Sequence, residues 1–407
     1  MFRKYQAIVL GGLPLWTKNL GEILFRALIG AYFVAPVLFV SIDTSPTAMA
    51  IIAAIIAAAS LLMKRPSFTG GLATLTAILA ILSCFVLLSA LWSADPSRSI
   101  GAARNVFGYS VAALVLIQCL MVISAAQCDR LLQAFTAGAC IALAVLIGRE
   151  LYFAFASGDP LLAEKVVVLH KITFYGAFFS VILLTQPGPL SKALAVFFAV
   201  STLLYGRSTG IDLAIMVVAL FLATPRRFRQ PVLVCFVVFY MALAAVGPLV
   251  VPPLFAFLDT KGLLGFQPGT FAARLELWKM VSATVAEAPI LGHGANTMRN
   301  AVGVVVNPKY YTLVDLASAH NIVFDLWYEL GIVGIIVYGM ILAAVTRMIG
   351  RLTGTSQFIA GSFLMVAVIE LSVDHRIWLS WTLGTLAFAA SICVLHHRSV
   401  AGTQHAA

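Results

Sequence analysis

Runs of about twenty apolar residues follow one another along almost the whole chain, and no other feature limits its possible folds as much. A hydrocarbon layer about 30 Å thick is crossed by ~20 helical residues, and backbone inside it must satisfy its own hydrogen bonds. The pattern predicts an all-α fold, a polytopic transmembrane helix bundle of about twelve spans. They are Glu22–Ile42, Pro46–Met63, Gly71–Trp92, Val106–Ser124, Leu131–Phe155, Lys171–Gln186, Leu190–Gly206, Gly210–Thr224, Gln230–Val251, Ile322–Thr346, Ser356–Leu371 and Arg376–His396. With 61% hydrophobic and 10% charged residues among 407, a soluble enzyme is excluded. Met1-Phe2-Arg3-Lys4 is followed by Lys18 and Glu22 before the first long apolar run, so no cleavable signal is evident and the first span is expected to stay. Cys84, Cys119, Cys128, Cys140, Cys235 and Cys393 lack paired spacing and read as small core residues.

Orientation follows from the loops that carry Lys and Arg, because positive charge is retained in the cytoplasm. Lys64 with Arg65, Arg226 with Arg227 and Arg229, Arg347 with Arg351, and Arg398 fall on alternate loops, on the side of Arg3 and Lys4. Both termini are therefore expected in the cytoplasm. Three parts result: residues 1–251 as a bundle of about nine spans, 252–319 as a long outer loop with an amphipathic helix, and 320–407 as C-terminal helices with a short tail. The outer side keeps Arg98, Arg104, Lys165, Lys171, Arg207, Lys261, Arg274, Lys279, Arg299, Lys309 and Arg376, where topology disfavours them. Cations held against that bias point to an anionic ligand, while the rest of the +10 net charge serves as cytoplasmic anchors.

Thr270 to Gly334 is the one long polar interruption, and chemistry is expected there. Phe271 to Val281 reads as a helix along the membrane interface, with Leu275, Trp278, Val281 and Val285 on its apolar side and Glu276 and Lys279 on the wetter one. Arg274 and Trp278 lie one turn apart and can stack as cation and ring. Pro289-Ile290-Leu291-Gly292-His293-Gly294 stops the helix in a Gly-bracketed turn, where His293 reads as a turn residue first and a ligand contact second. His320 precedes an apolar helix, with Asp325 and Glu329 five and nine residues beyond it. Its pKa range suits a general base, and a cap or interfacial role is the other reading. Arg207, in Gly206-Arg207-Ser208 between two apolar runs, either binds a ligand or pairs with Asp212.

Absences narrow the chemistry. The chain has no DxD pair for a nucleotide sugar, no GxxxxGK[ST] loop and no HExxH helix. Neither a metal nor a cofactor is called for, and an anionic lipid-carried donor suits a basic outer cavity better than a nucleotide.

The ordered set Trp92-Ser93-Ala94-Asp95-Pro96, Gly206-Arg207-Ser208, Arg274-x-x-x-Trp278, Pro289 to Gly294, Ala319-His320-Asn321 and Glu329-Leu330-Gly331-Ile332-Val333-Gly334 resembles the O-antigen ligase and polysaccharide polymerase superfamily of bacterial inner-membrane proteins. The resemblance implies a C-type glycosyltransferase architecture and metal-independent, inverting glycan transfer at the periplasmic face from an undecaprenyl-pyrophosphate-linked donor. Carried onto this chain, it implies pyrophosphate binding by Arg207 and Arg274 and a catalytic His320, with Lys171, Lys279, Arg98 and Arg376 as secondary contacts. Asn321 is expected to support the helix start. The acceptor it implies is the lipid A core of lipopolysaccharide, for a ligase, or a second carrier-linked glycan, for an O-antigen or exopolysaccharide polymerase; nucleic acid is not a partner. A lipid-linked oligosaccharide transporter is the reading from another class, although no repeated halves are evident.

Overall fold

The computed structural model describes residues 15–41, 45–62, 70–157, most of 178–199, 209–264, 271–298, 318–373 and 377–404. Eleven long helices run through them: α1 Leu15–Ser41, α2 Ser45–Leu62, α3 Gly70–Leu88, α4 Pro96–Val122, α5 Ala125–Ser157, α6 Thr209–Ala223, α7 Arg229–Thr260, α8 Phe271–Val285, α9 Ile322–Ile349, α10 Gly354–Val373 and α11 Ser380–Gln404. No strand occurs among the described residues. Ten of the expected spans coincide with one of these helices. The two between Lys171 and Gly206 lie largely outside the described residues. Seven helices are long and apolar enough to cross a membrane, so the expected twelve spans are not reached among the described residues.

Two cores organise the bundle. In the first, α1, α5 and α11 pack around Phe388, whose ring lies 4.9 Å from that of Tyr32, 5.4 Å from Phe39 and 6.2 Å from Phe135. Lipid tails are as apolar as these side chains, so association depends on close fit more than on escape from water. Gly138 supplies that fit, since a Cβ there would run into the backbone carbonyl of Phe33 and force α5 away from α1. The second core joins α3, the first turns of α4, α7, α8 and α9. On the far side of α7, Val238, Phe239 and Leu249 are more than half exposed, as a lipid-facing surface requires.

Polar loops gather at two ends. At one end, Arg229 donates to the Gly354 carbonyl at 3.2 Å and Arg398 to that of Ile123 at 2.9 Å, which brings together loops expected on the cytoplasmic side. The other end joins the α3–α4 turn, the segment after α8, the start of α9 and the α10–α11 turn. There Ser99 donates to the Ala295 carbonyl at 2.8 Å and Asn105 to that of Trp378 at 3.1 Å. Helix α7 has 32 residues and would reach about 48 Å, well past a hydrocarbon core of about 30 Å. Its last turns, which carry Pro252 and Pro253, form a wall for α8.

Candidate active site

Helix α9 is broken at Gly331, where φ is 61° and ψ −158°. A break releases backbone groups, and buried ones need partners. The Pro289–Gly294 turn supplies all four seen here. His293 and Gly294 donate their N–H groups to the carbonyls of Tyr328 and Glu329, each at 2.9 Å, and Ile332 and Val333 donate to Pro289 at 2.9 Å and Ile290 at 3.3 Å. Such an approach leaves no room for side chains: a Cβ on Gly292 would overlap Glu329, and one on Gly331 would overlap Ile290. Both glycines also have positive φ, a region that L side chains rarely adopt. His293 closes the turn, its ring stacked on Tyr328 at 4.5 Å and its Nε2 lying 3.3 Å from the Thr284 carbonyl. These contacts are those of a turn histidine, the first of the two roles its position in sequence offers.

The break divides α9 by task. Ile332–Ile349 measures about 27 Å and can nearly cross the hydrocarbon alone. Ile322–Leu330 is buried at every position and serves instead as a short pedestal for the turn that carries His320. That turn is held from several sides. Trp278 of α8 donates its indole N–H to the Ala319 carbonyl at 2.8 Å, and Ala319 donates its own N–H to Asp325 Oδ1 at 2.7 Å. His320 donates its N–H to Ser318 Oγ at 3.0 Å. Asn321 caps α9, its Oδ1 accepting from the Val323 N–H at 2.9 Å, in line with its expected supporting role. His320 itself has φ 51°, a conformation that costs a non-glycine residue about 1–3 kcal/mol and persists where the surroundings enforce it. Its side chain is neither buried nor fully open.

Helix α8 brings the cations. Arg274 is half-buried one turn before Trp278, whose ring stacks on Phe324 with centroids 5.4 Å apart and planes 8° from parallel. Arg274 and His320 are thus carried by elements that meet at the Trp278 indole. The expected wet side needs correction, because Glu276 is buried at 5% exposure. The extended end of α7 is the reason: Lys279 places Nζ 4.0 Å from the centre of the Phe255 ring on α7 and 3.9 Å from Glu276 Oε1. Arg98 is joined at 3.0 Å to Asp95, the N-cap of α4, so its first partner is a carboxylate of its own turn. Arg207, Lys171 and Arg376 lie outside the described residues, as does the side chain of Asp212.

Sequence reasoning noted the two acids beyond His320 but gave them no role. Asp325 and Glu329 are one turn apart on the pedestal and exposed by no more than 2%. Glu329 accepts from the Met298 N–H at 3.3 Å and from the indole N–H of Trp378, tying α9 to the segment after α8 and to the α10–α11 turn. Two acids inside an apolar run were the available signal, since a buried carboxylate needs partners aimed at it. Among the described residues, no group of three His, Cys, Asp or Glu side chains could hold a metal ion.

An all-helical integral membrane protein with an irregular polar site built on a broken helix is the class these features define. Residues 193–339 match a family model described as O-Antigen ligase, and this match bears out the resemblance drawn from the motifs. That family implies a glycan-transfer or polymerase role, with a lipid-linked glycan as substrate in a membrane setting. All the quoted motifs except Trp92 to Pro96 fall within the matched segment. A comparison with curated proteins finds no match.

Proposed function

We propose that this protein is a metal-independent, inverting glycosyltransferase of the bacterial inner membrane, with both termini in the cytoplasm and residues 252–319 in the periplasm. It passes a glycan from undecaprenyl pyrophosphate to the lipid A core of lipopolysaccharide. The acceptor hydroxyl oxygen attacks the anomeric carbon and forms the new C–O bond. The bond from that carbon to the pyrophosphate oxygen breaks, and the carrier leaves with the electron pair. Arg207 and Arg274 hold the charge that grows on the leaving group, which is where fixed cations contribute most. His320 takes the hydroxyl proton as general base. Lys171, Lys279, Arg98 and Arg376 are secondary contacts to phosphate or glycan, and Arg98 reaches them only by leaving Asp95.

The observation that carries this reading is the His320 turn, fixed in a left-handed conformation against the same helix that bears Arg274. Purified protein given carrier-linked glycan and lipid A core tests it. Transfer that disappears in His320→Ala supports the reading, and transfer that survives it overturns the role of His320. Acceptor choice is tested in a deletion strain. Loss of long-chain lipopolysaccharide with carrier-linked polymer accumulating marks a ligase, whereas single repeats on a capped core mark a polymerase and overturn the acceptor proposed.

A further inference from the structure

Ala319, beside His320, has both backbone polar groups taken by side chains from two different helices. Its carbonyl accepts from Trp278 of α8 at 2.8 Å, and its N–H donates to Asp325 of α9 at 2.7 Å. On the other side of His320, Asn321 is fixed by its cap to Val323. The histidine backbone is therefore gripped through its neighbours on both sides. Trp278 thus joins α8 to this turn by hydrogen bond, while its ring rests on Phe324 of the pedestal. Arg274 precedes it by four residues, hence by about 6 Å along the helix.

We propose that Trp278 and Asp325 are positioning residues that fix the spacing between the leaving-group cation Arg274 and the base His320. This rests on the reading given above for those two residues. Loss of the indole N–H frees the His320 turn to drift while α8 continues to present Arg274. Donor binding then persists and proton removal from the acceptor slows. Displacement of a reacting group by about 1 Å can cost on the order of a hundredfold in rate, so a loosened turn has room for a large effect without loss of the fold.

Trp278→Phe keeps a ring against Phe324 and removes only the donor, which makes it the discriminating variant. With purified full-length protein in lipid nanodiscs, carrier-linked glycan as donor and core lipopolysaccharide as acceptor, kcat is expected to fall about tenfold or more while donor KM stays within about twofold. Asp325→Ala is expected to do the same, and Asp325→Asn, which keeps an Oδ1 acceptor, to recover most of the lost rate. Placed on His320→Ala, Trp278→Phe should lower the residual rate no further, because residues that act through one group are not additive. An unchanged kcat, a donor KM that rises in step with the fall in kcat, or a full additional loss on His320→Ala would overturn the proposal. Full activity in His320→Ala alone instead removes the catalytic reading of that residue, and the two failures are told apart by that single variant.

Discussion

The two cores of this protein are held together by different means. Around Phe388 the contacts are mostly ring against ring and small residue against backbone, and the hydroxyls of Thr136 and Ser391 donate to carbonyls in their own helices, with the Tyr32 hydroxyl crossing between helices to donate to Ser391 Oγ at 2.8 Å. In the core around α8 and α9, bonds run between distant segments: Trp278 to Ala319, Trp378 to Glu329, Ser99 to Ala295, His293 to Tyr328. A regular helix satisfies its own backbone and needs only shape from its neighbours. A broken helix needs donors and acceptors from elsewhere. The difference teaches where an embedded protein can keep an irregular site: at one end, and only with a second segment fitted to the break.

Four substitutions test that contrast. His320→Ala should reduce transfer by about 10²–10⁴-fold in a steady-state assay, with melting behaviour in detergent unchanged, since general base catalysis contributes on this scale. Next comes Gly331→Ala, which forces an L side chain into positive φ and against Ile290; it should cost about 3 kcal/mol or more locally and raise hydrogen exchange in 289–294. Exchange that stays at the level of the unsubstituted protein would show that the turn does not depend on the break. In the first core, Gly138→Ala should cost about 1–3 kcal/mol in global stability through its clash with Phe33. Its kcat per folded molecule should be unchanged, and a fall would mean that the cores are not separable. Leu249→Ala, at 77% exposure on the lipid face of α7, should change stability by no more than about 0.5 kcal/mol.

Much of the scaffold was legible because apolar runs of spanning length have few other uses. Ten expected spans became helices with ends that shifted by as many as ten residues, and α4 began earlier because Asp95 and Pro96 form an N-cap and first turn within what reads as a polar loop. The site was legible as a set of parts but not as an arrangement. Gly331 lies between two apolar stretches that hydropathy adds into one span, so the sequence conceals the break and with it the partnership between Pro289–Gly294 and Glu329–Val333. Glu276 was misplaced for a related reason. Periodicity describes a helix alone, and the wall that buries this residue is the unexpected extension of α7 to Thr260.

Trp378 follows α10 and lies 49 residues beyond Glu329, yet its indole holds that residue beneath the His320 turn. During synthesis the segments emerge in order, so the turn after α8 waits for α9, and Glu329 waits until α10 has followed. A chain halted before Trp378 carries Arg274 and His320 but has no bolt to lock the pedestal beneath them.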